Sequence, residues 1–197
     1  DRDVLDMIDV TTADLIATGI AAKAVKVGDA APDFTLPDHL GNSVALRDLL
    51  NQGPVVLVFY RGSWCPYCNL ELRAYQRDLP NIQERGASLL AISPMVPDES
   101  LTMSEKNDLA YPVLSDQGNK TATAFGLMFK VDARIQAMYV ERLGNDLPKL
   151  NGDDSFTLPL PATYVIGTDG TVIFAHVDAD YRLRADPADV LKFLNGK

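Results

Sequence analysis

Cys65 and Cys68 are the only two cysteines among 197 residues, and they lie in the run Trp64-Cys65-Pro66-Tyr67-Cys68. Thiols at i and i+3 share one face of a helix, one turn apart. That spacing lets them pass between dithiol and disulfide with the backbone at rest. A helix start presents free N–H groups and a partial positive charge, and both favour a thiolate. Cysteines so placed reach pKa values of roughly 3.5–7.5. The thiolate attacks in disulfide exchange and in reaction with peroxide. Cys65 and Cys68 are therefore the candidate catalytic residues of a redox couple. Pro66 suits the first helical position, and Trp64 and Tyr67 flank the sulfurs with apolar surface.

Two plainer readings compete. The thiols could be inert and buried, or they could bind zinc. Zinc would need the chain's two histidines, His39 and His176, both far away in sequence and each more commonly a surface or packing residue. No metal and no cofactor is expected.

Residues 55–60 form a continuous apolar run, the pattern of a strand buried on both faces. A helix is predicted over 65–85, stopped at Arg85-Gly86, and a second buried strand over 87–92. Strand, helix, strand makes a right-handed parallel βαβ unit that holds the cysteines at a helix mouth. Upstream, Asp33-Phe34-Thr35-Leu36, a Gly41-Asn42 turn and a short helix over 46–50 are expected. Residues 1–26 read as a helical arm, with Thr12 and Asp14 as caps, packed on its own domain or on a second copy in a homodimer. Downstream come a helix capped by Asp98, a short extended piece at Val113-Leu114 and a helix over 121–127. Residues 131–160 read as an irregular insertion with one helix over 134–142. Residues 162–166 and 171–176 around Thr168-Asp169-Gly170 signal a hairpin. Asp186-Pro187 opens a last helix ending near Asn195.

The composition, 47 % hydrophobic, is enough for one core without metal or disulfide framework. A net charge of −9 with no basic stretch argues against nucleic acid and anionic membranes as partners. The longest apolar run is too short to span a bilayer. No basic, then apolar, leader opens the chain; it begins with Asp1 rather than Met, so an earlier leader is left open. Two cysteines at this spacing suit redox work in a reducing compartment, and a cytoplasmic location is expected.

Phe59-Tyr60, the second cysteine nine positions after Phe59, and Glu71 three further on resemble the active-site segment of the peroxiredoxins. Pro32-Asp33-Phe34-Thr35-Leu36, Ala91-Ile92-Ser93 and Val113-Leu114-Ser115-Asp116 resemble that family too. The likeness is to a branch of the alkyl hydroperoxide reductase and thiol-specific antioxidant superfamily carrying a thioredoxin-type C-x-x-C. It implies an α/β, thioredoxin-like fold over 27–197, a central mixed sheet flanked by helices, with the 1–26 arm added. It implies hydroperoxide as substrate, a thioredoxin- or glutathione-type reductant, and Cys68 in the peroxidatic position. Three places depart from the family. Cys65 stands where a threonine or serine is expected, Arg61 where a proline is, and Pro161 where the family's catalytic arginine is. Pro161 resembles instead the cis-proline that faces the thioredoxin C-x-x-C, or is a plain strand-entry proline.

Three functions follow. In a thiol peroxidase Cys68 attacks a hydroperoxide and Cys65 resolves the sulfenic acid; Arg61 could replace the missing donors, although a turn arginine is more commonly solvated. In a disulfide reductase Cys65 attacks a partner's disulfide and Cys68 resolves, with Trp64 and Pro161 shaping the groove. A redox sensor is the third. Peroxide reduction is favoured because the likeness covers most of the chain.

Overall fold

The computed structural model describes residues 2–194. The first element, α1 (Arg2–Ala17), ends at Gly19, whose φ of 66° suits glycine, and a short 3-10 turn (Ile20–Lys23) follows. Thr12 is therefore not a cap: it lies on the buried face of a longer helix. The hydroxyl of its neighbour Thr11 donates back to the carbonyls of Met7 and Ile8, the usual mid-helix arrangement.

A hairpin of β1 (Thr35–Pro37) and β2 (Ser43–Ala45) leads into α2 (Leu46–Leu50). The predicted βαβ unit is present as β3 (Val55–Phe59), α3 (Pro66–Glu84) and β4 (Ser88–Ser93), with β3 and β4 parallel in register. Next come α4 (Pro97–Asn107), β5 (Val113–Ser115), α5 (Lys120–Ala124) and β6 (Met128–Lys130). Val96, not Asp98, occupies the cap of α4; Asp98 sits in its first turn, where a carboxylate meets the positive end of the helix. The helix expected over 121–127 is shorter, because Gly126 (φ 70°) turns the chain into β6.

Residues 131–160 are more ordered than expected. They contain α6 (Ala133–Glu141), α7 (Leu147–Asn151) and β7 (Thr157–Pro159), which pairs with β6. Asp132 and Asp146 cap the two helices, accepting from the backbone N–H groups of Arg134 and Lys149. Val131, Ile135, Tyr139, Leu147 and Leu158 form a small core of their own, against which Met7 and Ile8 of α1 pack. The expected arm thus lies on its own chain. Ion pairs of Asp3, Asp9 and Asp14 with Arg142, Arg182 and Arg134 surround that contact, but exposed pairs contribute little. The apolar seam holds the helix.

The hairpin β8 (Ala162–Ile166) and β9 (Val172–Val177) completes a five-stranded sheet of order β5-β4-β3-β8-β9, with β8 antiparallel to β3. Asp186 caps α8 (Pro187–Phe193) by accepting from Ala188 N–H; the expected end at Asn195 lies outside the described residues. Every residue of β3 is wholly buried. Val56 and Val58 face α3, α4 and α8, while Val55, Leu57 and Phe59 face the layer of α2, α5 and the 3-10 turn. This is the thioredoxin-like arrangement, a central mixed sheet with helices on both faces. Among the described residues no helix is long and apolar enough to cross a membrane.

Candidate active site

Beyond β3 the sheet continues one residue further, Tyr60 N–H donating to the Ile92 carbonyl at 2.9 Å. The chain then turns through residues 61–64. Trp64 closes over this turn so tightly that a Cβ on Gly62 would lie 2.2 Å from its Nε1, so only glycine fits. Cys65 takes the N-cap position of α3, Pro66 opens the helix, and Cys68 lies in its first turn. Asn69 fastens the arrangement. Its Nδ2 donates to the carbonyls of Ser63 and Cys65, both at 2.8 Å, while its Oδ1 accepts from Asn107 Nδ2 of α4 at 2.9 Å. The two cysteines are free thiols, and both are wholly buried.

Each sulfur has its own guanidinium. Arg61 Nη2 lies 3.4 Å from Cys65 Sγ, and Arg184 Nη2 lies 3.4 Å from Cys68 Sγ. The two arginines differ in what neutralises them. Arg184 is ion-paired with Glu71, one helical turn after Cys68 on α3. Arg61 takes part in no ion pair among the described residues. Its other contacts are the Tyr139 hydroxyl at 3.4 Å and the rings of Tyr181 and Trp64, at 3.9 and 5.0 Å from its Cζ. The Cys68 thiol, hydrogen-bonding to Cys65, and the Arg61 charge hold Cys65 well below the usual thiol range against the opposing effect of burial. Burial, and the Cys65 sulfur it supports, push Cys68 well above that range. One proton shared between the sulfurs therefore resides on Cys68.

The structure brings Cys65, Cys68, Trp64 and Arg61 together. Arg61 is buried, at 7 % exposure, so the commoner fate of a turn arginine, solvation, does not apply. Pro161 stands just before Ala162, which pairs with Phe59 of β3, and lines the same cavity as Arg61. Its peptide bond is trans, since no cis bond occurs among the described residues; the resemblance to a cis-proline ends there. His39 bonds to Ser104 and to Val113 N–H, and His176 lies on β9 opposite Thr163. Among the described residues no three His, Cys, Asp or Glu side chains cluster as metal ligands. Sequence reasoning missed Arg184, Tyr139, Tyr181 and Asn69. Arg184 comes from the loop after β9, 116 residues from Cys68, and no local spacing marks it.

Burial pushes Glu71 up to about 7 even though the Arg184 charge and hydrogen bond pull it down. Between its ordinary value of 4.5 and about 7 the folded state holds a proton that the unfolded chain has released. Stability contributed at low pH is thus lost as pH rises through that window, on the order of 3 kcal/mol. Urea midpoints at pH 5 and pH 8 are expected to differ more in the wild type than in Glu71→Gln; equal slopes in both would contradict this role for Glu71.

A family model described as "AhpC/TSA family" matches residues 27–175. Peroxiredoxin Bcp of Escherichia coli K12 is 34 % identical over 104 residues, 52 % of this chain and 65 % of that protein. A putative peroxiredoxin of Mycobacterium tuberculosis is 34 % identical over 99 residues, 50 % of this chain and 62 % of that protein. The chain therefore spans just under two thirds of the length of these curated relatives. The crystal structure of peroxidoxin BcpB from M. tuberculosis superposes with a TM-score of 0.67 at 26 % identity, covering 86 % of this chain and 96 % of that one. The matched span leaves out both α1 and Arg184.

Proposed function

The chain belongs to the AhpC/TSA family, and we propose on that premise that it reduces hydroperoxides with Cys65 and Cys68 as a dithiol–disulfide couple. The observation that carries this reading is the pair of thiols one helical turn apart, each with a guanidinium at 3.4 Å. One sulfur, as thiolate, takes the terminal oxygen of the hydroperoxide and becomes a sulfenic acid, releasing the alcohol. The other condenses with it, losing water, and an external thiol of thioredoxin or glutathione type returns the pair to the dithiol. The arginines supply the donors that the family's threonine and arginine positions lack in this chain, where Cys65 and Pro161 stand. Oriented donors of this kind stabilise the charge that develops on the parting oxygens. Trp64 covers the turn and keeps water from the sulfurs, and Pro161 walls the approach beside Arg61. A reducing, cytoplasmic setting fits a couple recycled by such thiols.

A second reading, disulfide exchange without peroxidase activity, is favoured by the lowered pKa of Cys65. It is disfavoured by the burial of both sulfurs, because a protein disulfide must reach the attacking atom whereas a hydroperoxide is small. Hydroperoxide consumption coupled to thioredoxin or glutathione recycling tests the proposal. Turnover that disappears in the Cys65→Ser/Cys68→Ser double variant is expected; a wild-type rate no higher than the uncatalysed background rejects it.

A further inference from the structure

We propose that an organic hydroperoxide with a compact apolar substituent binds in the chamber between α1, α6 and β6, and that Cys65, rather than Cys68, attacks it. This rests on the peroxidase reading above and adds to it a binding site and an order of attack.

The chamber has a volume of about 200 Å³ and apolar walls that include Ile8, Leu15, Phe129, Ile135 and Leu160. An apolar cavity of about 150 Å³ accepts benzene, so this one has room for a ring with a small branch. One of its walls is α1, which lies outside the matched family span.

Arg61 joins the chamber to the sulfur. It lines the cavity and at the same time places Nη2 3.4 Å from Cys65 Sγ. Its Nε is buried and has no hydrogen-bond partner. Asp14 and Asp132, the carboxylates that line the chamber, are taken by Arg134. A buried cation with an unused donor beside an apolar space favours a ligand with an acceptor oxygen on an apolar body. A hydroperoxide is such a ligand, and it carries the oxidant that the adjacent thiol needs. Cys68 is placed differently. Neither sulfur itself lines the chamber; Arg61, which touches Cys65, does, whereas Arg184, which touches Cys68 and is paired with Glu71, does not. The greater acidity of Cys65 agrees with this division.

In the reaction an electron pair of the Cys65 thiolate forms an S–O bond to the terminal oxygen. The O–O bond breaks, and its electron pair leaves on the alkoxide, which becomes the alcohol on taking a proton. The Tyr139 hydroxyl, which lines the chamber and lies 3.4 Å from Arg61 Nη1, is placed to hydrogen-bond that oxygen. The sulfur loses two electrons and the hydroperoxide gains them. The Cys65 sulfenic acid then condenses with the Cys68 thiol, giving the disulfide and water.

The test compares cumene hydroperoxide with hydrogen peroxide, which needs no apolar chamber. Trp64 is the chain's sole tryptophan and reports binding of 2-phenylpropan-2-ol, the unreactive product alcohol. The wild type is expected to bind this alcohol saturably by fluorescence. Thr11→Phe, which fills the chamber from α1, should weaken that binding and raise KM for cumene hydroperoxide by about tenfold, the scale of misplaced apolar groups in a pocket. Its kcat/KM for hydrogen peroxide should fall by much less, because that oxidant needs no apolar seat. Leu15→Phe, from the same wall, serves if Thr11→Phe does not fold. With either oxidant, dimedone should label Cys65 in Cys68→Ser and leave Cys65→Ser unlabelled. Absent alcohol binding, or equal losses with both oxidants, overturns the chamber; dimedone on Cys68 at the wild-type oxidation rate overturns the order of attack. A wild-type pair oxidised by neither oxidant overturns this inference together with the peroxidase reading, and the first three outcomes leave that reading standing.

Discussion

Replacing Arg61 by methionine is expected to lower hydroperoxide turnover by about 10²–10³-fold, the usual loss when one oriented donor is removed from a developing oxyanion. The same change should not weaken the fold. Arg61 is buried without a carboxylate partner, and the desolvation that a methionine of similar length avoids offsets the loss of its contact with the Cys65 sulfur. Activity and stability should therefore move separately, kcat/KM falling while the urea midpoint holds or rises. The pH profile of Cys65 alkylation supplies an independent reading. Arg61 helps to hold the Cys65 thiolate at low pH, so in Arg61→Met the onset of alkylation should move to higher pH, and Arg61→Lys should fall between. If the alkylation profile is unchanged while activity falls, Arg61 acts on the substrate alone and its effect on the sulfur has been misread. If stability collapses instead, the cation supports the turn more than it burdens it.

The second large effect concerns Arg184. Removing its charge in Arg184→Met leaves Glu71 buried with no counter-ion. Breaking a buried pair from one side costs about 3–5 kcal/mol, which for a chain of this length lowers Tm by roughly 6–20 °C. The loss should depend on pH, because Glu71 titrates near 7 even with the arginine present. At pH 8 the wild-type pair is ionised, whereas the stranded Glu71, no longer held down by the arginine, must take up a proton or stay charged in the interior, and the larger loss is expected there. At pH 5 the carboxyl is protonated in the folded state and most of the loss should vanish. Glu71→Gln/Arg184→Met should recover most of the stability at pH 8, since both charges are then gone. It should not recover activity fully, because Cys68 has still lost the donor at 3.4 Å. Thermal melts at the two pH values, run on both single variants and the double, measure this coupling directly. A loss in Arg184→Met that is the same at both pH values would assign the arginine to packing rather than to charge.

Both expectations involve arginines that the sequence presents very differently. Arg61 lies four residues from Cys65, within the active-site run, so its nearness to the sulfur was legible. Its burial was not, because burial depends on Tyr139 of α6, Tyr181 after β9 and the indole of Trp64 closing around it. Arg184 carries no sequence signal at all. It reaches Cys68 because β9 returns along the sheet and leaves its following loop against the first turns of α3, a consequence of strand order rather than of spacing. The sequence of 131–160 has the pattern of an irregular segment because its strand is three residues long and its turns are rich in Gly, Asn and Pro. Its helices hold together through a core that includes Met7 and Ile8 of α1, a contact spanning more than a hundred residues.

From the chain alone came everything that depends on neighbours: the buried strand at 55–60, the cysteine spacing, the proline that opens α3 and the hairpin at 162–176. Apolar runs, i to i+3 geometry and turn residues are local physics, and they set where the two sulfurs stand. The tertiary structure decided which sulfur carries the proton, because that choice rests on burial, on the hydrogen bond between the sulfurs and on how the charge beside each is compensated. Arg61 reaches Cys65 without a counter-ion, whereas Arg184 reaches Cys68 already neutralised by Glu71. Coulomb interactions act through space in a low-dielectric interior, so the chemistry of the pair is fixed by which elements pack beside it, a property that position along the chain does not encode.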